Sequence, residues 1–350
     1  MTRAFTASRA QLAQLRLSAQ GLGSPGFDRP AEVVRHLLAM QARSFDNAKW
    51  AIGLRTSGAK DSDVEAALAA GEIVRSWPMR GTLHFTPAED LGWMLGLTAA
   101  RTVQSASGRH RALGLDDEAF ALASRLAETA VGEAGVLGRS DLLEALNTGG
   151  LSTEGQRGAH VLLYLCVTGL LVHGPPAGKQ QTFALLGEWV RSARALDGDE
   201  ALAEFARRYF LGHGPASDRD FAWWSSLTLT QARRGLAMVA HELQSLTVEG
   251  VEYWHRPGLE PAPPGVAALP GFDEYVLGYQ TRTAQLTAEW FLCIVPGGNG
   301  MFLPTIVVNG EIVGTWKRTG VIDEFAPLSA AHRRELERQL QRHADFVRLP

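Results

Sequence analysis

At 350 residues the chain is too long for one ordinary core, so about two to four modules are expected. A net charge of −3 excludes a polycation, and 45 % hydrophobic with 20 % charged residues excludes a disordered chain. No apolar run approaches the ~20 residues of a membrane helix, and the start carries no signal-peptide pattern, so no membrane partner is expected.

The charge is uneven. Residues 1–60 hold nine Lys and Arg against three Asp and Glu, which fits one anion-facing side. Cys166 and Cys293 each lie in an apolar run and read as reduced core thiols. There is no Cys-x-x-Cys pair and no His-Glu-x-x-His run, so neither a metal nor a cofactor is expected.

Residues 32–41 read as an amphipathic helix with Val34, Leu37 and Leu38 on its buried stripe. Gln41 falls on that stripe, four residues after Leu37. A buried amide without partners costs roughly 1–3 kcal/mol. Either the helix end opens to a cleft, or the backbone satisfies the amide. "DSDVEAALAAG" is a second helix closed by Gly71, and "IVRSWPMRGTLHF" then reads as extended chain. A period of two puts Met79, Gly81, Leu83 and Phe85 on one face and Arg80, Thr82 and His84 on the other. Arg75 lies beyond Pro78, outside that register. The polar face is either a solvated strand face or a phosphate-binding strip, with His84 as a candidate general base. Thr86, Pro87 and Glu89 start another helix, and helix continues to about residue 135.

Residues 139–186 read as a short helix capped by Ser140, a longer one with Thr153 and Gln156 in capping-box spacing, and a hairpin with a Gly/Pro-rich tip. Residues 200–256 repeat the plan. Ser217 with Asp220 and Thr228 with Gln231 are capping boxes, and two strands flank Glu249-Gly250. Two helices joined by a tight turn and followed by a hairpin make a winged helix-turn-helix. The second helices begin with Gln156 and Arg157, and with Thr230, Gln231, Arg233 and Arg234. Such residues read base edges or hold phosphates, but winged helices also serve as protein-interaction modules.

The remainder reads as a small β-rich module. "RPGLEPAPPG" is linker-like, Asn309-Gly310 is a strong hairpin signal, and "SAAHRRELERQLQRH" is an amphipathic helix. Asp273 and Glu274 point to opposite faces if extended, so they are backup acids only.

The ordered stretches "LLAMQAR", "AKWAIGLR", "EIVRSWPMRGTLHF", "GRHRALGLDD", "GQRGAH", "GKQQTFALL", "RRYFLGHGPASDRDFAWWSSLT", "GFDEYVLGY" and "PTIVVNGEIVGTWKR" resemble the winged-helix DNA glycosylase family of AlkZ and YcaQ over nearly the whole chain. The resemblance implies an α+β fold of three tandem winged helix-turn-helix units with a β-rich C-terminal module, forming a C-shaped DNA-binding body. The expected divisions are 1–135 for winged helix 1 with a helical extension, 136–192 for winged helix 2, 193–258 for winged helix 3, and 259–350 for the β-rich module with its terminal helix. The implied activity is monofunctional hydrolysis of the N-glycosidic bond of bulky N3- or N7-alkylated purines or crosslinks in double-stranded DNA. A cytoplasmic, nucleoid-associated location follows, and no heptad seam argues against a monomer.

The family's catalytic motif, Gln-x-Gln or Gln-x-Asp, maps to Gln41-Ala42-Arg43. The first position matches and the second does not. Arg has no acceptor for a hydrogen bond from water, and a cation beside a developing sugar cation is unfavourable. Either Arg43 holds a flanking phosphate and leaves Gln41 to act alone, or it marks a regulator or lesion sensor that binds DNA without cutting. Asp46 is the nearest substitute acceptor in sequence. Gln41 and Arg43 are thus the candidate catalytic residues. Arg75, Arg80, His84, Arg157, Gln231, Arg233 and Arg234 are the candidate DNA contacts.

Overall fold

The computed structural model describes residues 5–23, 26–178 and 180–348. The chain packs as two units, one running from Glu65 to Ala201 and the other made of the residues up to Val64 together with those from Leu202 onward. The fold is α+β.

In the continuous unit, Ile73–Met79 and Thr82–Pro87 are antiparallel strands, with Met79 opposite Thr82. The period-two pattern treats this stretch as one extended strand, and the structure corrects it. Arg80 and Gly81 both have positive φ (56° and 59°), so the chain reverses there in a two-residue hairpin turn. The sheet continues through Leu171–His173 and Thr182–Leu185 to Val136–Gly138, each pair antiparallel. Helices Asp117–Ala134, Arg139–Thr148 and Arg157–Val167 enclose a core of Phe120, Val131, Leu142, Leu146, Val161, Leu165, Cys166 and Phe183. Two helix starts differ from expectation. The residue before Arg139–Thr148 is Gly138, so Ser140 lies inside that helix. The longer helix begins at Arg157, because Asn147 Oδ1 accepts from the Thr153 N–H and Asn147 Nδ2 donates to the Thr153 hydroxyl oxygen.

The discontinuous unit keeps the expected local signals. Ser217 with Asp220 and Thr228 with Gln231 form complete capping boxes on Asp218–Ser225 and Leu229–Val239. Strands Gln244–Val248 and Val251–His255 meet at Glu249-Gly250, whose φ values of 50° and 79° suit that turn. Asn309-Gly310, at 52° and 94°, joins Thr305–Val308 to Glu311–Trp316 in an antiparallel sheet with Val266–Leu269 and Ile322–Glu324. Phe346 of the terminal helix Ala330–Val347 and Trp50 of Phe45–Gly53 pack ring to ring at 5.2 Å.

Three expectations fail on tertiary grounds. The linker-like stretch is a strap: Leu259 and Ala262 are buried, and Ala262 N–H donates to Gln14 O at 3.1 Å. The basic first 60 residues are not one anion-facing side, because Arg16, Lys49 and Arg55 are buried. Cys166 is a core thiol, but Cys293 is exposed on the short helix Phe291–Ile294. Among the described residues no helix is long and apolar enough to cross a membrane.

Burial holds three histidines neutral. It pushes His36 down to about 4 and His343 to about 4, and it pushes His173, with Arg75 beside it, to about 3. Below pH 6.5 the unfolded chain binds protons at these sites and the folded chain does not. His36 and His173 each therefore remove roughly 1.4 kcal/mol per pH unit as pH falls from 6.5 toward the folded value, and His343, nearer to solvent, removes less. We expect the melting temperature to drop clearly between pH 7 and pH 5. An unchanged melt would contradict the assignment.

Candidate active site around Gln41 and Glu274

The helix carrying the candidate glutamine stops early. Pro30–Leu37 ends where Leu38 takes φ 63°, and Ala39 N–H turns back to Leu37 O at 2.7 Å. Residues 37–40 are all buried, a continuous run that a single helical face does not produce. Gln41 therefore lies in the two-residue strand Met40–Gln41 and not on the helix stripe. It is half-buried, and its Oε1 is enclosed without a hydrogen-bond partner among the described residues. Its backbone N–H donates to Glu274 Oε1 at 3.0 Å. Arg43 is exposed. Asp46, the nearest substitute acceptor in sequence, is an exposed carboxylate 3.3 Å from Arg318 and 4.0 Å from Lys49.

Glu274 belongs to a buried polar network in a segment where spacing alone marks only backup acids. Asp273 caps the short helix Glu274–Leu277 through Tyr275 N–H, and its two oxygens accept from Arg55 Nη1 and Nη2 at 2.8 Å each. Arg55 also donates to the backbone oxygens of Gln20 and Ala51, both at 2.8 Å. Gln20 Nε2 donates to Glu274 O at 3.2 Å and to Tyr279 OH at 3.0 Å, and that hydroxyl donates to His213 O at 2.7 Å. Glu274 Oε2 accepts from Trp224 Nε1 at 2.9 Å and lies 3.4 Å from His213 Nε2. Two glycines permit the approach. A Cβ on Gly212 would meet His36 O at 2.6 Å, and one on Gly278 would meet Glu274 O and His213 Cδ2, each at 2.7 Å. Sequence reasoning misses Gln20, His213 and Trp224 because they meet Glu274 only through the fold, and no local spacing marks them.

The candidate DNA contacts separate into two kinds. Arg80 Nη2 donates to His84 Nε2 at 3.0 Å, and His84 Nδ1 donates to Thr82 O at 2.8 Å. Arginine cannot accept, so the ring proton sits on Nδ1. With both nitrogens engaged and the ring fully buried, His84 is no general base. Arg75 is also buried, and burial pushes it down to about 10. Arg157 donates to the backbone oxygens of Ser152 at 2.8 Å, Gly114 at 3.1 Å and Leu113, so its guanidinium clamps the chain. Gln231, Arg233 and Arg234 are exposed on Leu229–Val239. Gln231 completes the capping box, and Arg233 Nε donates to Asp218 at 2.7 Å, an exposed pairing of small worth that a phosphate can displace. Among the described residues no group of three or more His, Cys, Asp and Glu side chains is placed to hold a metal ion.

The family model for DNA glycosylase AlkZ-like proteins matches residues 34–346. The chain is 28 % identical over 332 residues to the interstrand DNA cross-link repair glycosylase of Streptomyces sahachiroi, covering 89 % of this chain and 88 % of that one. The solved structure of the Streptomyces sahachiroi DNA glycosylase AlkZ superposes with a TM-score of 0.82 at 24 % identity, over 99 % of each chain. That likeness establishes the fold.

The Arg55–Asp273 pair is fully buried on both sides. Removing one partner leaves an uncompensated charge, so Asp273→Ala should lose about 3–5 kcal/mol of stability. A urea titration checks this. A loss below about 1 kcal/mol would show that the pair is not what ties these segments together.

Proposed function

Because the family model spans nearly all of its length, this chain belongs to the AlkZ-like DNA glycosylases, and we propose that it hydrolyses the N-glycosidic bond of bulky N3- or N7-alkylated purines or crosslinks in duplex DNA. The observation that carries the reading is Gln41 Oε1, an enclosed acceptor with no partner among the described residues, at the one position where the chain matches the catalytic motif. An orphaned acceptor is costly within the fold and useful to a donor from outside it.

An N3- or N7-alkylated purine is cationic and leaves with little acid help. The remaining work is to stabilise an oxocarbenium-like sugar and to direct water to it. Gln41 Oε1 accepts a hydrogen bond from that water. Arg43, exposed and unable to accept a hydrogen bond, takes a flanking phosphate, so catalysis is weaker than at a site with two acceptors. Arg80, Gln231, Arg233 and Arg234 contact the duplex. His84 holds Arg80, Arg75 is buried in the strand that leads to Arg80, and Arg157 clamps residues 113, 114 and 152. The helix, helix and hairpin order of 139–185 and of 198–255 supports two winged helices in tandem, and the third unit and the divisions expected above rest on the resemblance alone. The protein acts as a monomer, in the cytoplasm at the nucleoid.

Purified protein should release N7-alkylguanine from duplex DNA, and Gln41→Ala should cut the single-turnover rate at least about 100-fold while duplex affinity is kept. Affinity should fall steeply as salt rises. No release from any N3- or N7-adduct, with duplex binding intact, would leave a DNA-binding protein that does not cut. Arg43 at the second motif position is the feature that favours that second reading.

A further inference from the structure

We infer that Glu274 is the positioning residue for Gln41, an inference that rests on the reading of Gln41 as the catalytic amide. The two residues lie 233 positions apart in the same unit, and the Gln41 N–H meets Glu274 Oε1 at 3.0 Å. The strand Met40–Gln41 is two residues long and follows a left-handed Leu38. A hydrogen bond from its peptide to a fully buried carboxyl oxygen fixes residue 41, and with it the direction of the unpartnered Oε1.

Both carboxyl oxygens of Glu274 are engaged. Trp224 Nε1 at 2.9 Å and His213 Nε2 at 3.4 Å both face Oε2, while the Gln41 N–H faces Oε1. A carboxamide offers one acceptor atom. In Glu274→Gln that oxygen turns toward the Trp224 and His213 pair and presents an NH2 group to the Gln41 N–H. The strand then loses its anchor although the side chain is nearly isosteric. Adding Trp224→Phe removes the indole donor, and His213 in its Nδ1-protonated tautomer can accept the NH2 at Nε2. The amide oxygen is then returned to Gln41, while the smaller Phe ring leaves the surrounding core less well packed.

This geometry separates positioning from stability. Two quantities are read on wild type, Glu274→Gln and Glu274→Gln/Trp224→Phe. One is amide hydrogen exchange of peptides spanning residues 38–44, by mass spectrometry. The other is the single-turnover release of N7-methylguanine from a methylated duplex, with duplex affinity as control. The single variant should exchange at least about tenfold faster at Gln41 and excise at least about tenfold more slowly, with duplex affinity unchanged. The double variant should recover both, although it melts below wild type. Unchanged exchange in Glu274→Gln overturns the inference. So does an excision rate that follows the melting temperature rather than the exchange. Wild-type protein that releases no base is instead a failure of the glycosylase reading, and exchange alone then decides the hold of Glu274 on residue 41.

Discussion

A guanidinium removed from water must be surrounded by acceptors, and Arg55 meets that demand by gathering distant segments of chain. Its donors draw Gln20, Ala51 and both oxygens of Asp273 onto one point. This pins the segment 271–279, since Asp273 is also the cap of the short helix that follows. Everything near Gln41 inherits its position from that segment. Glu274 is the next residue, Tyr279 reaches Gln20 and His213, and Gly278 accepts from Tyr209 OH at 2.8 Å. A second buried arginine, Arg16, works in the same way. It reaches Pro215 O, Gln285 and Asp220 and lies 3.7 Å over the Tyr279 ring. Both cations would be costly without complete pairing, and both are surrounded by acceptors.

That arrangement explains how a site can rest on a strand of two residues. At residue 41 a side chain adds to the hold of the backbone, through the bond from the Gln41 N–H to Glu274 Oε1. The division of labour between adjacent acids follows. Asp273 neutralises a buried cation and orders the segment, while Glu274 looks the other way toward the backbone of Gln41. Most polar atoms in this layer are paired through the network, and Gln41 Oε1 stands out beside it as an acceptor without a donor among the described residues.

What was legible in the sequence was local. The capping boxes at Ser217 and Thr228 and the turns at Glu249-Gly250 and Asn309-Gly310 depend on residues within a few positions of each other, and their chemistry is nearly independent of context. Gln41 stands out correctly as an anomaly, but the helix that periodicity assigns to it runs too far. Nothing about a leucine announces a left-handed φ at residue 38. The Arg80-Gly81 reversal is hidden for a similar reason, since arginine is not a residue that marks such a turn. The basic N-terminal segment misleads because a count of charges cannot see burial. The Gln20, His213, Trp224 and Glu274 group is beyond any spacing rule, since its members meet only when the fold closes.

The strap at 259–262 and the discontinuous unit have a consequence for synthesis on the ribosome. The first 64 residues share a unit with chain that begins at Leu202. Gln14 meets Ala262, and Arg16 and Gln20 meet residues beyond 270. A nascent chain therefore presents the continuous unit complete while its own beginning still lacks its partners. The amphipathic helices Arg9–Ala19 and Pro30–Leu37 must wait with apolar faces uncovered for more than half the length of translation. Order of emergence and order of assembly are opposed for these two helices.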